Sequence, residues 1–279
     1  MSYKTILVQA DWADAPPSCT AMAAQIALAE DAHLVGVAMS GVEQVIYQCN
    51  AAAPGVVELP ADLSALTERA DQALAAFIRN AEHYGVNSYE TRRIDGAPDL
   101  ELIMQARYAD LLVLRQTAAS AHAAAAPDSA LQYIILHCGK PVLVVPCEGE
   151  FEHPGRRPML AWDGSLEAAR AIQAALPLLQ RAELVTLVVF NGNEEYGAHG
   201  ALAGADMATY LARHGVRVEL VRRETQGPLG HALLSLADEL TADLLVMGCY
   251  SHSRLREILL GGATREVLRS MSLPVLMAH

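Results

Sequence analysis

Short aliphatic runs alternate with longer alanine-rich segments along the whole chain. Ile6-Leu7-Val8 is the first such run, segment 33–39 is the second, and segment 18–30 between them has helical composition. Runs of four to eight aliphatic residues without polar alternation are typical of parallel strands that are covered on both faces. Strands that alternate with helices of this length form right-handed βαβ crossovers and a doubly wound sheet. The pattern therefore predicts an α/β fold.

The pattern occurs twice in tandem. Ala109–Val113 recurs as Ala242–Val246, and Pro141–Leu143 recurs as Pro274–Leu276, both with an offset of 133 residues. Self-similarity at a fixed offset indicates a repeated domain. Strands are predicted over 5–11, 33–39, 88–94, 110–115 and 141–146 in the first copy, and over 158–163, 183–190, 216–223, 243–248 and 274–278 in the second. Helices are predicted over 18–30, 61–84, 97–108 and 127–138, and over 165–180, 201–214, 228–240 and 261–270. The first copy has extra residues, and we expect them in a loop over 41–60.

A charged stretch with Gly and Pro, residues 147–156, separates the two copies. It predicts a first domain over 1–147 and a second over 156–279. Because the connection is short, we expect the two doubly wound, Rossmann-like domains to pack against each other as a pseudo-dimer. Ligands of such sheets bind beyond the carboxyl ends of the strands.

Composition narrows the classes of function. The chain of 279 residues has a formal net charge of −12, so it lacks the basic surface of a nucleic-acid-binding protein. Its five cysteines follow no C-x-x-C spacing, which argues against a disulfide framework and a zinc ribbon. No apolar stretch is long enough to cross a membrane, and the N-terminus has no signal-peptide pattern. We expect a reduced, soluble, cytoplasmic protein without a nucleic-acid or membrane partner.

Candidate chemistry is concentrated in segment 247–268 of the second copy. Gly248 ends a predicted strand, where a missing side chain would let a ligand approach the backbone. Gly261 and Gly262 open a predicted helix whose first N–H groups and dipole favour a phosphate. Ala263 continues a first turn that contains no acidic residue. Additional donors in the intervening loop are Ser251, His252, Ser253, Arg254 and Arg256. The segment predicts a phosphate-binding loop.

This segment resembles the universal stress protein pattern Gly-x2-Gly-x9-Gly-Ser/Thr, in which the loop and the following helix hold the phosphates of ATP. Gly248 matches the first glycine, Ser251 stands in the second position, Gly261 matches the third, and Gly262 replaces the Ser/Thr. Asp163 matches the acidic residue of the family at the end of the first strand. The resemblance implies an adenine nucleotide alpha-hydrolase-like fold that binds ATP or AMP, with magnesium if the ligand is a triphosphate. It also implies a homodimer for single-domain members, which the two copies here would replace, although a further homodimer stays open.

The two copies differ in this loop. Residues 115–126 of the first copy contain no glycine, and Asp128 near the next predicted helix would repel a phosphate. We expect the first copy to be a structural partner and Asp11 to be a cap of the strand–helix turn. In the second copy, Gly262 lacks a hydroxyl that would stabilise a bound phosphate by about 0.5–1.5 kcal/mol.

Three functions are compatible with these residues. The first is a stress-response protein that acts by binding an adenine nucleotide, with at most slow ATP hydrolysis, because no general base or activated nucleophile accompanies the loop. The second is a scaffold or small-ligand sensor that has lost nucleotide binding and works through a protein partner or a small apolar ligand. The third, an enzyme of the wider adenine nucleotide alpha-hydrolase-like group, is disfavoured because the chain lacks the Ser-Gly-Gly-x-Asp-Ser loop of the pyrophosphatases and the His-x-Gly-His signature of the adenylyl transferases. No Walker A or Gly-x-Ser-x-Gly motif occurs either. Separately, segment 41–58, with Tyr47 and Cys49, is a candidate cover of a cleft in the first copy, and nothing in the sequence identifies a ligand for it. The histidines show no metal-ligand spacing, and Cys249 would be a redox-sensitive thiol only if its pKa were lowered.

Overall fold

The structure is a computed structural model of the chain. It describes residues 2–12, 15–16, 18–52, 63–116, 129–151, 155–191, 204–250 and 262–279. Within those ranges, no helix combines the length and the apolar character that crossing a membrane would require.

The chain divides into two compact units, and their limits differ from those of the sequence repeats. One unit consists of residues Tyr3–Arg115, and the other consists of Gln116–His279 together with the first two residues. The last helix and the last strand of the first repeat therefore belong to the same compact unit as the whole second repeat. The domain limits 1–147 and 156–279 remain a prediction.

The unit Tyr3–Arg115 is a four-stranded parallel sheet with helices in its crossovers. Its strands lie in the order β3-β2-β1-β4, and every described pair is parallel. Its elements are β1 (Thr5–Gln9), α1 (Ser18–Glu30), β2 (His33–Met39), α2 (Val42–Ala52), α3 (Leu63–His83), β3 (Tyr89–Ile94), α4 (Pro98–Ala106) and β4 (Leu111–Arg115).

The unit Gln116–His279 has a six-stranded sheet in the order β5-β10-β9-β6-β7-β8. Its elements are α5 (Ser129–His137), β5 (Val142–Val145), β6 (Pro158–Ala161), α6 (Leu166–Leu179), β7 (Val185–Phe190), α7 (Ala205–Arg213), β8 (Val218–Arg223), α8 (Leu229–Glu239), β9 (Leu244–Gly248), α9 (Gly262–Ser270) and β10 (Val275–Ala278). All described pairs are parallel except β5 with β10, which is antiparallel. In that pair Leu143 lies opposite Leu276, which is its counterpart at an offset of 133 residues. The two final strands are thus related by a local twofold axis at this pair.

The repeated Ala-Asp-Leu-Leu-Val motif has a structural role in both copies. The Asp110 carboxylate accepts hydrogen bonds from the backbone N–H groups of Lys4 (2.7 Å) and Thr5 (3.0 Å), at the start of β1. The Asp243 carboxylate accepts from three consecutive backbone N–H groups at the start of β6, with a shortest distance of 2.7 Å to Arg156. The three aliphatic residues after each aspartate are fully buried. The motif therefore joins two neighbouring strands and fills the core.

The α/β fold with parallel sheets that the aliphatic runs predicted is confirmed. One element differs, because segment 41–60, which was expected to be a loop, begins with helix α2 over Val42–Ala52. Val42, Val45, Ile46 and Cys49 have the i, i+3, i+4, i+7 spacing of a helix that buries one face, and all four are half-buried. Tyr47, proposed to cover a cleft, is 74% exposed.

Candidate functional site

The second copy brings four predicted site residues to one edge of its sheet. β6 and β9 are parallel neighbours, with Leu160 opposite Val246, so their carboxyl ends lie at the same edge. Asp163 follows β6, and Gly248 is the last residue of β9. Gly262 and Ala263 are the first residues of α9, which connects β9 to its other neighbour, β10. Ser251, His252, Arg254 and Gly261 lie outside the described residues.

Gly248 is required by packing. A Cβ atom at this position would lie 2.4 Å from the backbone N of Ala168 and 2.7 Å from the carbonyl carbon of Glu167. The space beside Gly248 is therefore occupied by the first turn of α6. This corrects the expectation that the missing side chain leaves room for a ligand, because backbone atoms of a helix fill that room. Gly248 allows α6 to lie directly against the end of β9.

The turn between β6 and α6 holds Asp163 at the surface. One Asp163 carboxylate oxygen accepts a hydrogen bond from the backbone N of Ser165 at 2.9 Å. Ser165 is the N-cap of α6, and its hydroxyl accepts from the backbone N of Ala168 at 3.1 Å. Because Ser165 satisfies a terminal N–H of α6, Asp163 is not needed as the cap of that helix. Its exposed carboxylate remains accessible from solvent.

The N-terminus of α9 is the part of this edge best suited to an anion. Gly262 is exposed, and a Cβ atom there would meet no heavy atom within 4 Å. The first turn contains no acidic residue, and it includes exposed Arg265 and buried Thr264. Unpaired N–H groups and the helix dipole favour negative charge at such an end. The geometry allows an anionic group to approach this helix without a steric obstacle at Gly262.

Cys249, next to Gly248, is not an activated thiol. It is 1% exposed, and its Sγ donates a hydrogen bond to the carbonyl of Ala278 at 3.3 Å. Burial, with smaller contributions from Cys138 and Glu167, raises the pKa of Cys249 to about 12. Reactive cysteines have a lowered pKa and are accessible, so the hypothesis of a redox-sensitive Cys249 is wrong for this structure.

Tyr250 follows Cys249 with φ = 55°, in the left-handed region that is uncommon for a bulky residue. The next residue, Ser251, which stands in the second position of the family pattern, lies outside the described residues.

The equivalent edge of the first copy is occupied by an ion pair. Arg115 stands at the position of Gly248, at an offset of 133 residues. Its guanidinium donates to the Asp11 carboxylate at 3.2 Å and to the carbonyl of Pro16 at 3.3 Å. Asp11, 5% exposed, also accepts from the backbone N and the hydroxyl of Thr20, both at 3.0 Å. Asp11 is thus bound to the start of α1 and to Arg115, as its predicted role as a cap requires.

Arg115 is not among the site residues predicted from the sequence. The repeat offset, which aligns Arg115 with Gly248, is the signal that could have identified it. Trp12, which follows Asp11 in the chain, has the guanidinium of Arg69 stacked on its ring, 4.1 Å from its centroid. Asp128, expected to repel a phosphate in this copy, lies outside the described residues.

No metal centre is apparent in the part of the chain that the structure describes. There, no group of three or more His, Cys, Asp or Glu side chains is arranged to hold a metal ion. Among the described acidic residues, Asp163 is the one that the family resemblance predicts to lie beside a ligand.

Comparison with known proteins gives consistent matches. The model described as "Universal stress protein family" matches residues 2–146 and 156–279. The universal stress protein Slr1230 of Synechocystis sp. is 30% identical over 148 residues, which are 52% of this chain and 49% of that protein. The match thus spans about half the length of the curated relative.

Two solved structures resemble nearly the whole chain. A universal stress protein from Archaeoglobus fulgidus has a TM-score of 0.72 at 15% identity, covering 98% of this chain and 95% of its own. A functionally unknown protein from Pseudomonas aeruginosa has a TM-score of 0.61 at 18% identity, covering 99% of this chain and 92% of its own. At these identities the likeness concerns the fold alone.

Proposed function

The chain belongs to the universal stress protein family, and on that premise we propose that it is a cytoplasmic stress-response protein whose second copy binds ATP or another adenine nucleotide. The carrying observation is the open N-terminus of α9 at the sheet edge where Gly248 and Asp163 also lie. The protein acts by binding, and any hydrolysis of ATP is slow.

The phosphates of the nucleotide would bind at the first turn of α9. Gly262 imposes no steric limit there, and Arg265 adds a positive charge in the same turn. The second position of the family pattern is Ser251 and the third is Gly261; together with His252 and Arg254 they supply the predicted donors of the loop. Asp163, exposed at the end of β6, would face the nucleoside or a magnesium ion bound with a triphosphate.

The first copy is proposed to be the permanent partner of the second, without a nucleotide of its own. Arg115 has replaced the glycine that ends the corresponding strand, and Asp11 is already bound by Arg115 and by Thr20. A ligand that needed the Asp11 carboxylate would have to break an ion pair in which the carboxylate is buried, and leaving a buried charge without its partner is costly.

Extraction of bound nucleotide tests the proposal directly. The purified protein is denatured by heat, and the released nucleotides are identified by chromatography. The apo protein is then titrated calorimetrically with AMP and with ATP plus magnesium. We expect one adenine nucleotide per chain. No released nucleotide and no heat of binding at millimolar ligand would refute the proposal and favour the scaffold or small-ligand sensor, working through a protein partner.

Substitutions of Gly262 test the location of the site. Gly262→Asp places a negative charge where the phosphate would bind, whereas Gly262→Asn has nearly the same shape without the charge. An acidic residue in the first helical turn is favourable to the helix by about 0.3–1 kcal/mol. We therefore expect Gly262→Asp to lose nucleotide binding without losing stability, and Gly262→Asn to retain binding. Equal affinities of the two variants would show that the phosphate binds elsewhere.

The family hydroxyl can also be restored at the same position. Gly262→Ser adds a donor to a phosphate, and Gly262→Ala adds the same Cβ without the hydroxyl. A net hydrogen bond corresponds to a gain of about 2- to 12-fold in affinity for the serine variant over the alanine variant. An equal affinity in both would contradict a phosphate contact at this residue.

A further inference from the structure

Gln116 connects three segments of the unit Gln116–His279. Its side-chain Nε2 donates to the carbonyl of Leu268 at 2.8 Å, and its Oε1 accepts from the backbone N of Cys147 at 3.2 Å. Its backbone N donates to the carbonyl of Val145, and its carbonyl accepts from the Sγ of Cys147, both at 2.8 Å. One half-buried residue is therefore fixed to α9, to the end of β5 and to the start of the connection between the repeats.

The bond to Leu268 caps a helix. α9 ends at Ser270, so Leu268 is among the last four residues, whose carbonyls have no partner within the helix. The side-chain amide of Gln116 supplies a partner for one of these carbonyls. Gln116 belongs to the first sequence repeat, whereas α9 belongs to the second.

The counterpart of Gln116 in the second repeat is Cys249. The backbone N of Cys249 donates to Ala278 at 3.1 Å, just as that of Gln116 donates to Val145 at 2.8 Å. The two positions therefore share a backbone register and differ in the side chain. Only a long side chain with both a donor and an acceptor can reach α9 and Cys147 together, and the first repeat has it at this position.

α9 depends on such contacts. A helix of nine residues is about 13 Å long and is too short to be stable alone in water. On one side it lies directly against α8, because a Cβ at Gly230 would be 2.8 Å from the carbonyl oxygen of Ala263. Gln116 holds it near its other end. Together with the burial of Val267 and Leu268, these two contacts fix the direction in which its N-terminal N–H groups point.

We propose that Gln116 is a positioning residue of the nucleotide site, supplied by the first repeat to the second. The proposal rests on the function proposed above, in which α9 holds the phosphates. It gives the first repeat a direct part in ligand binding, although that repeat has no phosphate loop of its own.

Two variants separate the hydrogen bonds of the Gln116 side chain. Gln116→Glu can still accept from Cys147, but its carboxylate cannot donate to Leu268 and is repelled by the negative end of the helix dipole. Gln116→Lys can still donate to Leu268, and its charge suits a helix C-terminus, but it cannot accept from Cys147. Both variants are made in the full chain. Amide hydrogen exchange in α9 is measured without ligand, and the Kd for AMP is measured by calorimetry.

We expect Gln116→Glu to speed exchange of the α9 amides and to weaken AMP binding by about 2- to 12-fold, the factor for one net hydrogen bond. Gln116→Lys should restore both values to within about twofold of the parent, on the same reasoning. A general loss of stability would affect both variants alike. Equal exchange in α9 for the two variants, or a Glu variant with parental affinity, would overturn the proposal. If the parent protein binds no AMP, the proposed nucleotide function fails, and the α9 exchange alone decides whether Gln116 holds the helix.

Discussion

A substitution of Gly248 tests whether this glycine is required by packing or by a ligand. Gly248→Ala places a Cβ atom 2.4 Å from the N atom and 2.9 Å from the Cα atom of Ala168. Ordinary van der Waals contact begins at 3.4 Å. The start of α6 must therefore move by about 1 Å, or β9 must move away from it by a similar distance. Backbone atoms on both sides leave no flexible side chain to absorb the change.

Overpacking of this kind costs about 1–3 kcal/mol of the free energy of unfolding. For a unit of this size, each kcal/mol corresponds to a fall in Tm of about 2–4 °C. The matched control is Gly262→Ala, because a Cβ atom there meets nothing within 4 Å. Alanine is favoured over glycine by about 1 kcal/mol inside a helix and by less at its first residue. The control should therefore be neutral or slightly stabilising.

Urea unfolding followed by tryptophan fluorescence measures both variants. The chain contains two tryptophans, and a Trp12→Phe background leaves Trp162, one residue beyond β6, as the reporter. Far-ultraviolet circular dichroism follows the same transition independently. A Gly248→Ala variant with parental stability but impaired nucleotide binding would refute the packing explanation. Equal destabilisation by Gly248→Ala and Gly262→Ala would refute it as well.

Three further predictions use the same measurements. The native state favours the neutral Cys249 thiol, because its pKa is raised from 9.0 to about 12, so its contribution to the free energy of unfolding is present below pH 9 and is progressively lost toward pH 12. Between pH 9 and pH 10 the parent should lose about 1 kcal/mol more than Cys249→Ala, because half of the unfolded thiols are already ionised at pH 9, and parallel profiles would exclude the shift. Asp243→Asn should lower the free energy of unfolding by about 1–3 kcal/mol, because both of its carboxylate oxygens accept hydrogen bonds from backbone N–H groups. Asp110→Asn should lower it by less, because both of its donors bind the same oxygen. An equal loss in the two variants would contradict this explanation. Asp11→Asn should lower the free energy of unfolding by about 1.5–3 kcal/mol without changing the affinity for AMP. Asp163→Asn should weaken AMP binding with little effect on the free energy of unfolding. The reverse pattern would assign the ligand to the first copy.

The elements of the fold could be predicted because they depend on local patterns. Aliphatic runs such as Leu244–Val246 are buried on both faces of a parallel sheet, and this is the environment that their composition requires. The repeat predicts that Asp110 and Asp243 are equivalent, and both carboxylates accept backbone hydrogen bonds at the start of a neighbouring strand. Helix α2 lies in segment 41–60, where the extra residues of the first copy predict a loop, and its sequence signal is limited to one half-buried face with helical spacing.

The site was harder to predict because it depends on contacts between distant parts of the chain. Gly248 meets residues 167 and 168, and a glycine looks the same in sequence whether a helix or a ligand fills the space beside it. Asp11 and Asp163 occupy equivalent places, yet Arg115, 104 residues away, buries one in an ion pair while the other stays exposed. The thiol of Cys249 could not be assigned a pKa without knowing how deeply the strand end lies.

The antiparallel pairing of β5 with β10 joins strands that the sequence repeat makes equivalent, and both belong to one polypeptide. Its formation is therefore unimolecular, so dilution does not dissociate it, and its refolding rate does not depend on protein concentration. Between separate identical chains, a substitution at such an interface would fall on both sides at once. Here a substitution changes one side only. The two repeats can therefore differ at equivalent positions, as they do where the first has Arg115 and Gln116 and the second has Gly248 and Cys249.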